Sequence, residues 1–451
     1  MRNKILNIIF LAAVLAGTGC KKLDTKPTQS IDESAALNTG ADVQVALVGA
    51  YSDLIDADLY GGLAFVAPDL LGDFNEISWS GTFQGLTQIS NKNIPVDNGF
   101  VRDTWLAAYK TINDVNNVLS ALSVVSANQV DRVEGEASFI RGSVYFDLVR
   151  LYAKAYNDGT PAGNPGVPII LTPTRGITDA DLVPRSTVAD VYNQVITDLT
   201  TAEAKLPASN TFYATKGAAA AMLARVYLQK GDYANAAQAA NRVISSGLYS
   251  LKANYADAFP GSASAPGAIP NTSEDVFAMQ VNATQGVNSF NTYYSSNGRG
   301  DISINDAHLD LYEANDERRD LFYDDGGSVY SGKNENTYGN VRILRLAEMY
   351  LIRAEANFRL APAAPVGGVT PLADVNRIRE RSSLLPLAAV TLPVILNERK
   401  LELAFEGFTL HDAKRLQQNV GTIAWNSPKL VYPIPDREIR VNNKLEQNPG
   451  Y

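Results

Sequence analysis

Residues Lys216 to Gly247 constrain the fold more tightly than any other stretch. Leu223, Ala224, Tyr227, Gly231, Tyr233, Ala236 and Ala240 place small and aromatic side chains three and four apart, on either side of Gly231-Asp232-Tyr233. Small residues let two helices approach closely, and Gly231-Asp232-Tyr233 makes the turn, so the stretch predicts a helical hairpin. A single hairpin cannot bury its own apolar face. It has to stack on others.

Such neighbours are legible. Trp105, Ala108, Ile112, Val115 and Leu119 repeat at helical spacing, as do Ala137, Ile140, Val144, Leu148 and Leu151, which predicts paired helices over 105–122 and 132–153. Thr187 caps a helix to about Lys205, stopped by Pro207. Arg342 to Arg359 with Pro371 to Arg381 forms a more degenerate pair, and helical patterning begins near Ala41. The 216–247 hairpin carries its small and aromatic residues at the positions of a tetratricopeptide unit. The expected fold is therefore mainly α: a tetratricopeptide-like helix-pair scaffold with an irregular repeat. Asn157 to Pro184, rich in Pro, Gly and Thr, is expected as a long surface connection. Residues near 60–100 and 250–340 hold Gly, Asn, Ser and aromatics without helical period. Loops that long are uncommon in a compact domain, so both are expected as irregular inserted lobes with short strands, for example Asp275 to Val281.

The N-terminus reads as an export signal. Basic Met1-Arg2-Asn3-Lys4 precedes an apolar run from Ile5 to Ala16, broken only by Asn7, then Gly17-Thr18-Gly19-Cys20. The run is too short to span a bilayer. Cys20, the sole cysteine, follows small residues as in a bacterial lipobox, although Gly17 stands where leucine is usual. This predicts a signal over 1–19, a lipidated Cys20 heading a polar leash to about residue 40, and a single body over 41–451. Acyl chains would supply the membrane anchor, since no later segment approaches about 18 consecutive apolar residues. A net charge of −9 without a long basic block argues against nucleic acid as partner.

Catalytic and metal signatures are weak. Glu398, Glu402 and Glu406 lie four apart, which raises paired acid–base carboxylates. The plainer expectation is an ion network with Arg399, Lys400, Lys414 and Arg415 that locks two helices together. His308 and His411 lack ligand spacing, so no metal is expected. Asp324-Asp325-Gly326-Gly327 falls short of a calcium loop and reads as a turn.

The aromatics are more informative. Trp105 sits on a helical apolar face and belongs to the core, and Trp425 is expected to be structural. Trp79, in Ser78-Trp79-Ser80-Gly81, has polar loop on both sides. An exposed indole stacks on the C–H face of a sugar ring while nearby amides and carboxylates bond its hydroxyls. Asp73, Asn75, Glu76 and Phe83 stand close by, and Tyr293-Tyr294, flanked by Asn291 and Asn297, forms a second such cluster. The candidate ligand-binding residues are Asp73, Asn75, Trp79, Phe83, Tyr293 and Tyr294.

A family resemblance enters in the C-terminal third. Arg345-Leu346-Ala347-Glu348-Met349-Tyr350-Leu351-Ile352-Arg353-Ala354-Glu355-Ala356 is followed by Val375-Asn376-Arg377-Ile378-Arg379. Then come Glu398-Arg399-Lys400-Leu401-Glu402-Leu403-Ala404-Phe405-Glu406-Gly407, Asp412-Ala413-Lys414-Arg415, Tyr432-Pro433-Ile434-Pro435 and Gln447-Asn448-Pro449-Gly450-Tyr451. Arg141, Asp147, Arg150 and Asp316-Glu317-Arg318-Arg319 also fit. Their order resembles the SusD/RagB family of outer-membrane nutrient-binding lipoproteins. The resemblance implies an α-rich domain with a ligand-facing lobe, at the positions of the two aromatic clusters. It implies binding of oligosaccharide, or in some members peptide, at the cell surface. It also implies a SusC-type TonB-dependent transporter as partner, with no cofactor and no catalysis. The rivals are a lipid-anchored glycoside hydrolase and a tetratricopeptide scaffold of the envelope.

Overall fold

The computed structural model describes residues 37–451 apart from 177, 262–268, 285 and 362. The chain separates into Met1–Asn38 and Thr39–Tyr451, and nearly all described residues belong to the second unit. Cys20, the signal and the leash as far as residue 36 lie outside the described residues.

In chain order the elements are α1 (Gly40–Leu54), α2 (Leu63–Gly72), β1 (Ile77–Trp79), α3 (Gln84–Ser90), α4 (Gly99–Ser120), α5 (Val130–Tyr152), α6 (Val188–Lys205), α7 (Lys216–Lys230) and α8 (Tyr233–Ser245). Next come β2 (Asp275–Met279), α9 (Ser289–Tyr294), β3 (Ile302–Ile304), α10 (Asp306–Leu309), β4 (Phe322–Asp325), β5 (Ser328–Ser331) and β6 (Val341–Arg345). Last are α11 (Leu346–Leu360), α12 (Pro371–Arg381), α13 (Leu392–Glu402), α14 (Thr409–Arg415) and α15 (Asp436–Val441).

Local chemistry sets the helix ends. The Thr187 hydroxyl accepts the Asp190 N–H at 3.1 Å and starts α6, which turns Val191, Val195, Leu199 and Ala202 inward. Gly231 ends α7 at φ +78°, and Asp232 then accepts the Asn235 N–H to start α8. The predicted hairpin is present. Neighbours in sequence pack in turn, α4 on α5, α5 on α6, α6 on α7 and α7 on α8, and α8 then packs on α11. The stack is the expected mainly α, helix-pair scaffold. Residues 250–340 leave and re-enter between two helices that touch each other, and the β2–β6 ladder closes their base.

Buried Arg–carboxylate forks join the layers. Arg141 meets Asp198 at 2.9 and 2.7 Å between α5 and α6. Arg225 meets Glu348 at 2.9 and 2.7 Å between α7 and α11. Arg353 meets Asp374 at 2.9 and 2.6 Å between α11 and α12, and Arg415 meets Glu355 at 2.7 and 2.9 Å between α14 and α11. A planar fork fits only one rotational setting of its partner, so each pair fixes register as well as neutralising buried charge.

Two expectations are corrected. The stretch 60–100 is not an irregular lobe throughout: every residue of α2 from Leu63 to Gly72 is buried, so the helix lacks the polar face that would reveal a period. The Glu398-Glu402-Glu406 network exists with other partners. Glu398 pairs with Arg318 at 2.5 Å, Glu402 with Arg345 at 3.1 Å and with Arg381, and Glu406 with Arg345 at 2.8 Å and Lys333 at 2.7 Å. Residues one and two apart on a helix face different ways, so Arg399 turns to Asp412 and Lys400 to Glu76. Arg415 serves Glu355 and Asp412, and Lys414 donates to the Arg150, Ala153 and Leu430 carbonyls. Glu406 lies beyond the end of α13, past Phe405 at φ +60°.

Candidate functional site

The two lobes meet through a very short ribbon. β1 pairs antiparallel with β3, Ile77 opposite Ile304 and Trp79 opposite Ile302, and the Ser80 N–H extends the ladder to the Asp301 carbonyl at 2.8 Å. Ile77, Ile302 and Ile304 are buried and anchor the ribbon, which delivers Trp79 to its outer end.

An aromatic cluster forms there. The Trp79 indole lies 6.0 Å from the Tyr293 ring, and Phe83 packs edge-on against Tyr293 at 6.5 Å and Phe100 at 5.8 Å. The Arg299 guanidinium sits 4.6 Å above Phe83, held there by Asp301 at 2.7 Å and by the Thr82 hydroxyl at 3.2 Å. Gly81 is required at this corner, since a Cβ would come within 2.4 Å of the Trp79 benzo ring. Phe83 is 39% exposed and Trp79 partly so, while Tyr293 backs them from inside. Burial, reinforced by Asp301, pushes the Tyr293 hydroxyl up to about 12. The result is a rigid apolar face with fixed donors and acceptors at its edge.

The structure divides the sequence-predicted residues. Trp79, Phe83 and Tyr293 come together. Trp79 is not a free loop indole, because it ends a strand and its N–H already donates to the Thr87 hydroxyl at 2.8 Å. Tyr294 turns the other way: it is fully buried between Phe290 and Phe405, and its hydroxyl reaches Asp69 at 3.2 Å. No ligand reaches it there. Asp73 accepts the Glu76 N–H at 2.9 Å and borders a separate cavity, its carboxyl pushed up to about 6 by burial. Asn75 is exposed, and its carbonyl accepts the Asn305 amide at 2.9 Å, away from the aromatic cluster. Phe100, Arg299 and Asp301 were not predicted. Arg299-Gly300-Asp301, a charged pair around a glycine at φ +62° in an aromatic-rich stretch, is the signal that points to two of them. Trp105 is buried as expected, and Asp324 to Gly327 turn the β4–β5 hairpin. Among the described residues no cluster of acidic, His or Cys side chains could hold a metal ion.

Known proteins share the sequence pattern and the fold of this chain. Residues 23–228 match a SusD-like family model described as starch-binding and associating with the outer membrane, and residues 321–429 match the SusD family model. The chain belongs to the SusD/RagB family. SusD-like protein P2 of Formosa agariphila is 26% identical over 99% of this chain and 100% of its own length. A SusD-like protein of Bacteroides ovatus is 26% identical over 68% of this chain and 64% of its own. A putative sugar-binding protein of Bacteroides vulgatus superposes with TM-score 0.81 at 26% identity, covering 92% of this chain and 99% of its own. A laminarin-binding SusD-like protein shares the fold, with TM-score 0.74 at 23% identity over 92% of this chain and all of its own. Within this SusD fold, the aromatic cluster sits where both irregular stretches converge.

Proposed function

We propose that this SusD-family chain binds oligosaccharide at the cell surface and passes it to a SusC-type TonB-dependent transporter without breaking a bond. The observation that carries the binding step is the Trp79–Phe83–Tyr293 cluster with Arg299 and Asp301 at its edge: a flat apolar surface for a sugar ring beside groups that hydrogen-bond hydroxyls. A family model described as starch-binding and outer-membrane-associated supports the same class of ligand and the same location. Lipidation of Cys20 provides the tether, and no described helix is long and apolar enough to cross a membrane. Moving the ligand inward then needs a separate channel, which is the place of the transporter.

A glycan panel that includes laminarin, starch fragments and peptides tests binding and cleavage together. Saturable binding of a glycan with no product is expected. Cleavage would favour the hydrolase, whose acid–base pair could not be Glu398 and Glu402, both buried in ion pairs. Binding of peptide alone would change the ligand class, and silence towards the whole panel would leave only a scaffold.

A further inference from the structure

A cavity of about 460 Å³ opens away from the aromatic cluster. It lies between the end of α2, the 73–76 loop, α13 and α14. Along β1 and the residue before it, Glu76 and Ser78 point to one side and Ile77 and Trp79 to the other, so the ribbon separates the two places.

The chemistry of its walls is specific. Phe405 and Phe408 supply apolar floor, and Phe74, 66% exposed, stands at the mouth. Phe74 is held in place: its ring lies on Gly421, where a Cβ would come within 2.1 Å. Most charged groups of the lining are paired, Lys400 with Glu76, and Arg399 and Arg415 with Asp412, while Asp73 accepts the Glu76 N–H. Glu76 is held in turn by His308 at 2.8 Å, and His308 by Tyr312 at 3.1 Å, so this wall does not give way easily. Two neutral groups at the surface of the lining are unpartnered. The side-chain amides of Asn397 and Gln418, both exposed on the lining, hydrogen-bond none of the described residues. An exposed phenyl face, free amides and the Asp73 carboxyl as an acceptor suit an uncharged polyhydroxylated ligand, and the volume is within the roughly 300–1,000 Å³ of small-molecule sites.

We propose that this cavity is a second saccharide site, taking a neutral sugar of one or two rings independently of the Trp79 cluster. It rests on the proposed function only for the class of ligand. The test pairs crystals soaked in laminaribiose, cellobiose or maltose with solution titrations of the same sugars. The titrations use the native protein, Trp79→Ala, and Trp79→Ala combined with Phe74→Ala and Asn397→Ala. Expected are sugar density against Phe74, binding that survives Trp79→Ala, and at least tenfold weakening in the triple variant. Density or binding confined to the Trp79 cluster overturns the second site and leaves the proposed function standing. Density in the cavity with no binding in solution means binding at crystal concentration only, and also overturns it. No binding of these sugars or of any glycan in the panel overturns both.

Discussion

Phe83 and Trp79 share one aromatic surface but should respond differently to removal. Phe83 is 39% exposed, so Phe83→Ala should weaken glycan binding by about 1–2 kcal/mol with little change in melting temperature. Trp79 is half-buried and donates to Thr87, so Trp79→Ala should weaken binding and also cost on the order of 1–3 kcal/mol of stability. Tyr294→Phe removes only a buried hydroxyl–Asp69 contact, and binding should not move. Calorimetry beside thermal melting checks all three; weakened binding in Tyr294→Phe would contradict its placement in the core. The sequence could show which aromatics lacked a helical period. It could not show that adjacent Tyr293 and Tyr294 turn to opposite sides of a six-residue helix, or that Arg299 returns over Phe83 from more than two hundred residues away.

Helices were legible where they carry caps, as in α6 behind Thr187 with its polar face, and in the mostly buried α7, marked by Thr215 at its start, Gly231 at its end and a run of small residues. The wholly buried α2 hid its period, and three-residue strands such as β1 and β3 are too short to show one. The residues that carry the family resemblance prove to be latches between elements: Glu348, Arg353, Glu355, Arg415 and Asp412 each hold a buried or half-buried ion pair. They record how the scaffold is joined rather than what it binds. Arg225→Met should therefore destabilise the chain by about 3–5 kcal/mol, since Glu348 is left buried with Arg399 at 3.7 Å as its remaining cation. Arg225→Met with Glu348→Leu should recover much of that loss. Denaturant unfolding of the three variants gives the coupling directly, and additive losses would show that the fork is not a unit.

Acid should loosen the whole molecule through its most strongly paired carboxyls. Burial pushes Glu406 up, but Arg345 and Lys333 outweigh it and hold the group at about 2; Arg399 and Arg415 do the same for Asp412. A carboxyl with a folded value below its unfolded one stabilises fully above the unfolded value and stops doing so as pH falls through the folded one. The stability gap between the native chain and Glu406→Gln should thus be constant above about pH 5 and shrink towards pH 2. Urea melts at pH 7, 4 and 3 measure it, and a gap independent of pH would refute the assignment. Asp69 and Asp73, each pushed up to about 6 by burial, act in the opposite direction between about pH 4 and 6, so the comparison has to be variant against native.

The direct packing of α8 on α11, with β2 through β6 in between, also bears on the order of assembly. From α4 to α8 each new helix docks on the one just before it, a short search. For α11 to dock, everything between Ser245 and Leu346 must first be drawn into a closed loop. Refolding should then run in two steps, a rapid gain of helix over the first half and a slower joining of the second. Arg225→Met should retard only the later step, because Arg225 waits in the first half for a glutamate that arrives with the second.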